Sequence, residues 1–153
     1  MRFALERAGE GRNVALVSSG DAGIYAMGAL VYELLDRDTD NGGVSDAAKR
    51  VSLVNAPGIS ALQAASARIG APLGHDFCAI NLSDNLKPWS LIEKRLRLAG
   101  EAGFAMAFYN PRSASRPHQF ATALDILREA CGPETLISFA RNVSHPDETL
   151  RTV

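Results

Sequence analysis

The sequence predicts an α/β fold, and three observations carry that expectation. Four short, mostly apolar runs are each followed by a polar loop bearing glycine, proline or asparagine. Runs of this kind suit strands covered on both faces, as in a parallel sheet flanked by helices. Helical patterns alternate with the runs, which is the signature of α/β architecture. The four polar loops also fall at the carboxyl ends of the runs, where open α/β sheets bind ligands.

Taken in order, Arg2 to Gly9 reads as the last turns of a helix closed by glycine. Val14 to Val17 is the first strand, followed by the loop Ser18-Ser19-Gly20-Asp21-Ala22-Gly23 and a helix from about Ile24 to Leu35. In that helix Ile24, Met27, Val31, Leu34 and Leu35 recur at three- and four-residue spacing. Asp36 to Asp46 is a polar surface excursion. Val51 to Val54 is the second strand, then Asn55-Ala56-Pro57-Gly58 and an alanine-rich helix from Ile59 to Ile69. Gly70 to Gly74 reads as a linker, so the expected domains are residues 1–74 and 75–153. Phe77 to Leu82 begins the second unit as a strand, and a helix runs from Trp89 to Leu98. Phe104 to Phe108 is the next strand, followed by Tyr109-Asn110-Pro111-Arg112-Ser113 and a helix through Phe120, Leu124 and Leu127. Leu136 to Ala140 is the fourth run of the set, and the chain stops on a strand-like string, Thr149 to Val153. Both ends fall in mid-element, which leads us to expect a chain partial at both ends.

Composition narrows the function. At 153 residues, 46% hydrophobic and 22% charged, the chain has the makeup of a soluble globular protein. Sixteen basic against seventeen acidic side chains leave a net charge of −1, which gives no general reason to expect a nucleic acid or an anionic membrane as partner. No apolar run is long enough to span a bilayer and no signal peptide opens the sequence, so a cytoplasmic enzyme is expected. Cys78 and Cys131 stand alone, and His75, His118 and His145 lack metal-ligand spacing, so no metal site is expected. Asp36-Arg37-Asp38-Thr39-Asp40 imitates a calcium loop, but Asn41 stands at the glycine position and Ala47 at the closing glutamate. Gly58-Ile59-Ser60-Ala61-Leu62 fails as a nucleophile elbow because Leu62 replaces the glycine of the sharp turn. The glycines at 20, 23 and 28 do not make the dinucleotide fingerprint.

Two loops remain. In the Gly20-Asp21 loop, glycine lets a ligand approach the backbone, and Asp21 could accept hydrogen bonds from a ribose or an ammonium group. The same residue could equally cap the following helix. Asn110-Pro111-Arg112-Ser113-Ala114-Ser115-Arg116 offers an amide, guanidinium groups and hydroxyls, suited to carboxylates or phosphates. Its plain alternative is a helix-capping segment with solvated arginines.

Val14 to Tyr25 resembles the Gly-Asp loop of the tetrapyrrole methylases, and Ala56-Pro57-Gly58-Ile59-Ser60-Ala61 resembles their Pro-Gly-Ile-Ser/Thr-Ala segment. Asn81 to Trp89 and Phe108 to Ser113 are similar to the branch that methylates C(17) of precorrin-3B, or of cobalt-factor III, and contracts the ring. The resemblance covers nearly the whole chain, but the family's opening strand and glycine- and proline-rich loop have no counterpart before residue 13. It implies two small α/β domains with the active site in the cleft between them, S-adenosylmethionine as cofactor, and a role in cobalamin biosynthesis. It further implies a tetrapyrrole polycarboxylate as substrate and a homodimer as assembly. By position, Gly20, Asp21, Ile24, Ser60 and Ala61 would hold the cofactor, with Asn110, placed at the catalytic centre, and Val143 flanking it. Ser83, Lys87, Arg112, Ser113, Arg116 and Arg141 would meet the substrate carboxylates, and Asp84 would take the proton lost from the C(20) hydroxyl. The alternatives are a family member acting on another corrin carbon, or a ligand-binding or dimerising piece that does not turn over.

Overall fold

The computed structural model describes all 153 residues, which pack as two units, Met1–Ser60 and Ala61–Val153. The division falls at Ser60, ahead of the linker at residues 70–74. The linker contains a short 3₁₀ turn, Pro72–Gly74, which packs with the helix before it.

In residues 1–60 the core is small and helical. Helix α1 (Arg2–Gly9), helix α2 (Gly28–Asp36) and the short helix α3 (Asp46–Lys49) bury Leu5, Val31, Val44 and Ala48. Val44 is a correction to the polar excursion expected at 36–46: it is 1% exposed. A glycine pair makes this possible. Gly42 turns the chain at φ +84, and a Cβ on Gly43 would lie 2.2 Å from the Arg37 carbonyl oxygen. Ser45 caps α3 by accepting from the Ala48 amide (3.3 Å), and both its amide and its hydroxyl donate to Glu6 at 2.9 and 2.6 Å. These bonds, hydroxyl first and amide second, hold the Glu6 carboxyl below the usual carboxylate range.

Two of the four apolar runs expected as strands do not form them. Residues 13–18 and 53–58 have no regular secondary structure and join no ladder, because a strand needs a neighbour to complete its hydrogen bonds. Val17 and Val54 are 85% and 86% exposed. The helix expected from Ile24 starts only at Gly28, because Tyr25 adopts φ +51 and the Gly28 amide bonds back to the Ala22 carbonyl at 2.7 Å.

In residues 61–153 the α/β expectation is met by strand β1 (Phe77–Asn81) beside strand β2 (Ala105–Tyr109), parallel, with Phe77 opposite Ala105 and Asn81 opposite Tyr109. Helices α5 (Trp89–Glu101) and α6 (Gln119–Cys131) cover them. Ile92 and Leu96 on α5, Ala123 and Ile126 on α6, and Ile80 and Leu82 make the core. Spacings of three and four put each helix's pair on one face. At the helix crossing a Cβ on Gly100 would lie 2.8 Å from the Ala130 methyl group, so only glycine fits. Helix α4 (Ala61–Arg68) precedes them. The fourth expected run becomes strand β3 (Ser138–Arg141), paired not with the parallel sheet but antiparallel with strand β4 (Thr149–Thr152). A tight turn decides this: Asn142 and Ser144 take positive φ, and the His145 amide donates to the Asn142 carbonyl at 3.0 Å. No helix is long and apolar enough to cross a membrane.

Candidate functional site

In the first unit the Gly-Asp and Pro-Gly loops are held together. Gly20 turns at φ +73, and a Cβ on Gly58 would lie 2.1 Å from its carbonyl oxygen. Asp21 spans the gap: one carboxylate oxygen accepts from the Gly23 amide at 2.7 Å and the other from the Gly58 amide at 2.9 Å. The first bond is the two-residue turn that Asp forms with its own backbone, not a cap on α2. The Gly58 amide, then the Gly23 amide, hold the Asp21 carboxyl below the usual carboxylate range, against a smaller effect of burial. Ile24 is half-buried and its amide bonds the Asp21 carbonyl at 3.2 Å, while Ser60 is buried. The unit therefore presents glycine-bearing backbone tied together by a carboxylate, which suits the polar edges of a nucleoside. An open hollow of about 660 Å³ also lies along α2, but Ala29, Tyr32, Glu33, Leu35 and Asp36 line it and none of the loop residues does.

In the second unit the two most discriminating motifs converge. Parallel pairing puts the ends of β1 and β2 side by side, and a cavity of about 360 Å³ opens there. Asn81, Ser83, Asn85, Leu86, Lys87, Asn110 and Arg116 line it. Asn110 turns the chain at φ +50, a conformation asparagine tolerates, and its amide nitrogen donates to Asn81 Oδ1 at 3.2 Å. Asn81 Oδ1 also accepts from the Ser83 amide at 2.9 Å. The Lys87 ammonium reaches the Ser83 carbonyl at 3.2 Å. Burial first, and the Arg95 guanidinium second, push that ammonium below the usual lysine range, while Asp84 offsets part of the shift. Arg116 donates to the Asn110 carbonyl at 3.3 Å, and its Nε lies 3.9 Å from Asp84. Asp84 also accepts from Gln119 at 3.5 Å. Two cations in one small concave site, one of them only 13% exposed, are placed to receive carboxylates.

The other expected site residues fall around these two sites or away from them. Ala61 opens α4. Ser113 stays in its loop, bridged to Arg116 through the backbone, with its hydroxyl 3.2 Å from that of Ser115. Arg112 is exposed and does not line the cavity. Arg141 ends β3, also exposed, and Val143 sits half-buried in the β3–β4 turn. Arg68 of α4 pairs with Glu148 of that turn at 3.4 Å. Asp84 is adjacent to the cavity but turned toward Arg116 and Gln119. Asn81, Asn85, Leu86 and Tyr109 lie in the motif stretches but carry no role in the sequence alone, and Gln119 lies outside them. The position of Asn81 at the end of a strand next to Asn110's strand was the signal available, once parallel pairing was assumed.

Residues 1–153 match the model of the family described as Tetrapyrrole (Corrin/Porphyrin) Methylases. The chain is 50% identical over 149 residues to a precorrin-3B C(17)-methyltransferase of Sinorhizobium sp., covering 97% of this chain and 56% of that protein. It is 46% identical over 145 residues to a probable cobalt-factor III C(17)-methyltransferase of Salmonella typhimurium, covering 95% of this chain and 56% of that one. A crystal structure of the methyltransferase CobJ matches with a TM-score of 0.88 and 54% identity, over 99% of this chain and 60% of the other. The chain thus spans somewhat more than half the length of these relatives. Matched along its whole length by the family model, this chain belongs to the tetrapyrrole methylases.

Proposed function

We propose that the protein transfers the methyl group of S-adenosylmethionine to C(17) of a tetrapyrrole polycarboxylate, precorrin-3B or cobalt-factor III, with ring contraction, in cobalamin biosynthesis. The observation that carries this reading is the cavity at the ends of β1 and β2, where Lys87 and Arg116 offer cations to a substrate rich in carboxylates. Similarity to C(17)-methyltransferases supports the choice of carbon. Gly20, Asp21, Ile24, Ser60, Ala61, Asn110 and Val143 hold the cofactor in this reading, as the resemblance of their loops implies. Their donors and acceptors, backbone amides and carbonyls with a serine and an asparagine, fit a nucleoside with an amino-acid tail. When bound, the cofactor supplies an electrophilic methyl carbon, so the chain's own task is to place the acceptor carbon in line with it. Lys87 and Arg116 orient the ring by its acid side chains, with Ser83 and Asn81 reading polar edges. Arg112, Ser113 and Arg141 serve carboxylates farther from the reacting carbon. Asp84 holds Arg116 in place and is the nearest carboxylate to the cavity for the proton released from the C(20) hydroxyl. The protein works in the cytoplasm as a homodimer.

The test is incubation with S-adenosylmethionine and each substrate in turn, followed by product mass and absorption spectrum. A mass gain of one methyl group together with a ring-contracted spectrum supports the reading. Absence of any methylated product from either substrate overturns it.

A further inference from the structure

We infer that the Tyr109 hydroxyl is a positioning group that fixes the start of α4 against the end of β2, and so sets Ala61 relative to Asn110. The inference rests on the reading of Ala61 and Asn110 as cofactor-holding residues. Three observations carry it. The Leu62 amide, second residue of α4, donates to the Tyr109 hydroxyl oxygen at 3.1 Å across 47 positions of sequence. That amide is one of the first-turn donors a helix cannot satisfy internally, so an outside acceptor fixes where the helix begins. Tyr109 is also the last residue of β2, bonded directly to Asn110, which is clamped in turn by its φ of +50 and its bond to Asn81. One phenol therefore connects two stretches of chain that must face the same ligand. Its ring is anchored in the strand, so its hydroxyl has little freedom to follow a displaced helix end.

Tyr109→Phe removes the acceptor and keeps the ring. The wild-type protein and the variant are compared by calorimetric titration with S-adenosylmethionine, by the Michaelis constants for cofactor and tetrapyrrole, and by thermal melting. Loss of one ordinary hydrogen bond in the alignment of the cofactor is expected to raise its Kd and KM about three- to tenfold. The KM for the tetrapyrrole, bound by Lys87 and Arg116, should change less than twofold. That split is the signature of positioning, because a hydroxyl that only supports the fold would lower the melting temperature and leave both constants alone. Unchanged cofactor affinity in Tyr109→Phe overturns the inference while the function stands. A wild-type protein that takes up no cofactor overturns the function, and the inference with it.

Discussion

Gly58→Ala is the sharpest probe of the cofactor loops. Gly58 does not occupy the left-handed region, so alanine meets no backbone penalty there and the effect comes from one methyl group. That methyl would sit 2.1 Å from the Gly20 carbonyl oxygen, 3.0 Å from its carbon and 3.4 Å from the Asp21 Cα. Relief to ordinary contact, which begins at 3.4 Å, requires the methyl and that oxygen to part by about 1.3 Å (3.4 − 2.1). The atoms met are backbone, so no side-chain rotation can absorb the strain. The Gly58 amide, now 2.9 Å from Asp21, would then pass out of hydrogen-bond range. Overpacking of this kind destabilises by about 1–3 kcal/mol. A shift of about 1 Å in groups that align reactants costs on the order of a hundredfold in rate. The assay is turnover with S-adenosylmethionine and tetrapyrrole, with melting temperature measured alongside. Gly74→Ala is the control, since its added methyl meets nothing within 4 Å. If Gly58→Ala keeps wild-type turnover and melts with Gly74→Ala, the close approach of the two loops does not order the site and the reasoning fails.

Arg116→Ala should raise the tetrapyrrole KM by about tenfold or more while leaving cofactor Kd unchanged, because a half-buried guanidinium–carboxylate contact contributes roughly 1.5–3 kcal/mol; the reverse pattern in steady-state kinetics would exchange the two ligand sites. Asp84→Asn keeps the shape beside Arg116 but loses the charge and the proton acceptor, so the tetrapyrrole KM should rise and a methylated, uncontracted product should build up. Contracted product formed at the wild-type rate, seen by mass and absorption, would remove Asp84 from that proton transfer. Glu6 and Asp21 both have lowered folded-state pKa values, so each contributes stability that is complete above the ordinary carboxylate value of about 4 and is lost as pH falls through the lowered folded value. Urea denaturation of Glu6→Gln between pH 6 and about 2.5 should accordingly show a shallower loss of stability with acid than the wild type; parallel curves would mean that the Ser45 bonds give no linkage. Leu96→Ala, in the fully buried core of the second unit, should destabilise by about 2–5 kcal/mol in the same assay, and a loss under 1 kcal/mol would mean the α5 face is mispacked.

Much of the second unit was legible in the sequence. Phe77–Asn81, Trp89–Glu101, Ala105–Tyr109 and Gln119–Cys131 all follow from period and length, because each finds its partner within the chain and the local pattern agrees with the packing. The motif loops could likewise be set at strand ends before any geometry was known. Where partners decide, the sequence alone was not enough. Val14–Val17 and Val51–Val54 have strand composition, but composition cannot provide the neighbouring backbone that turns an extended run into a ladder. Leu136–Ala140 has the same apolar character, and only the turn at Asn142 and Ser144 sends it into a hairpin. Val44 reads as polar surface until Gly42 and Gly43 fold it under α1. The identity of Asp21 was plain, but not that both its oxygens are engaged, one of them by an amide 37 residues away. The same holds for Arg116 turned to Asp84 and for Tyr109 meeting Leu62. Periodicity and turn chemistry are short-range properties that residue order encodes directly. Hydrogen bonds between distant residues depend on which surfaces meet, and only the folded chain sets that.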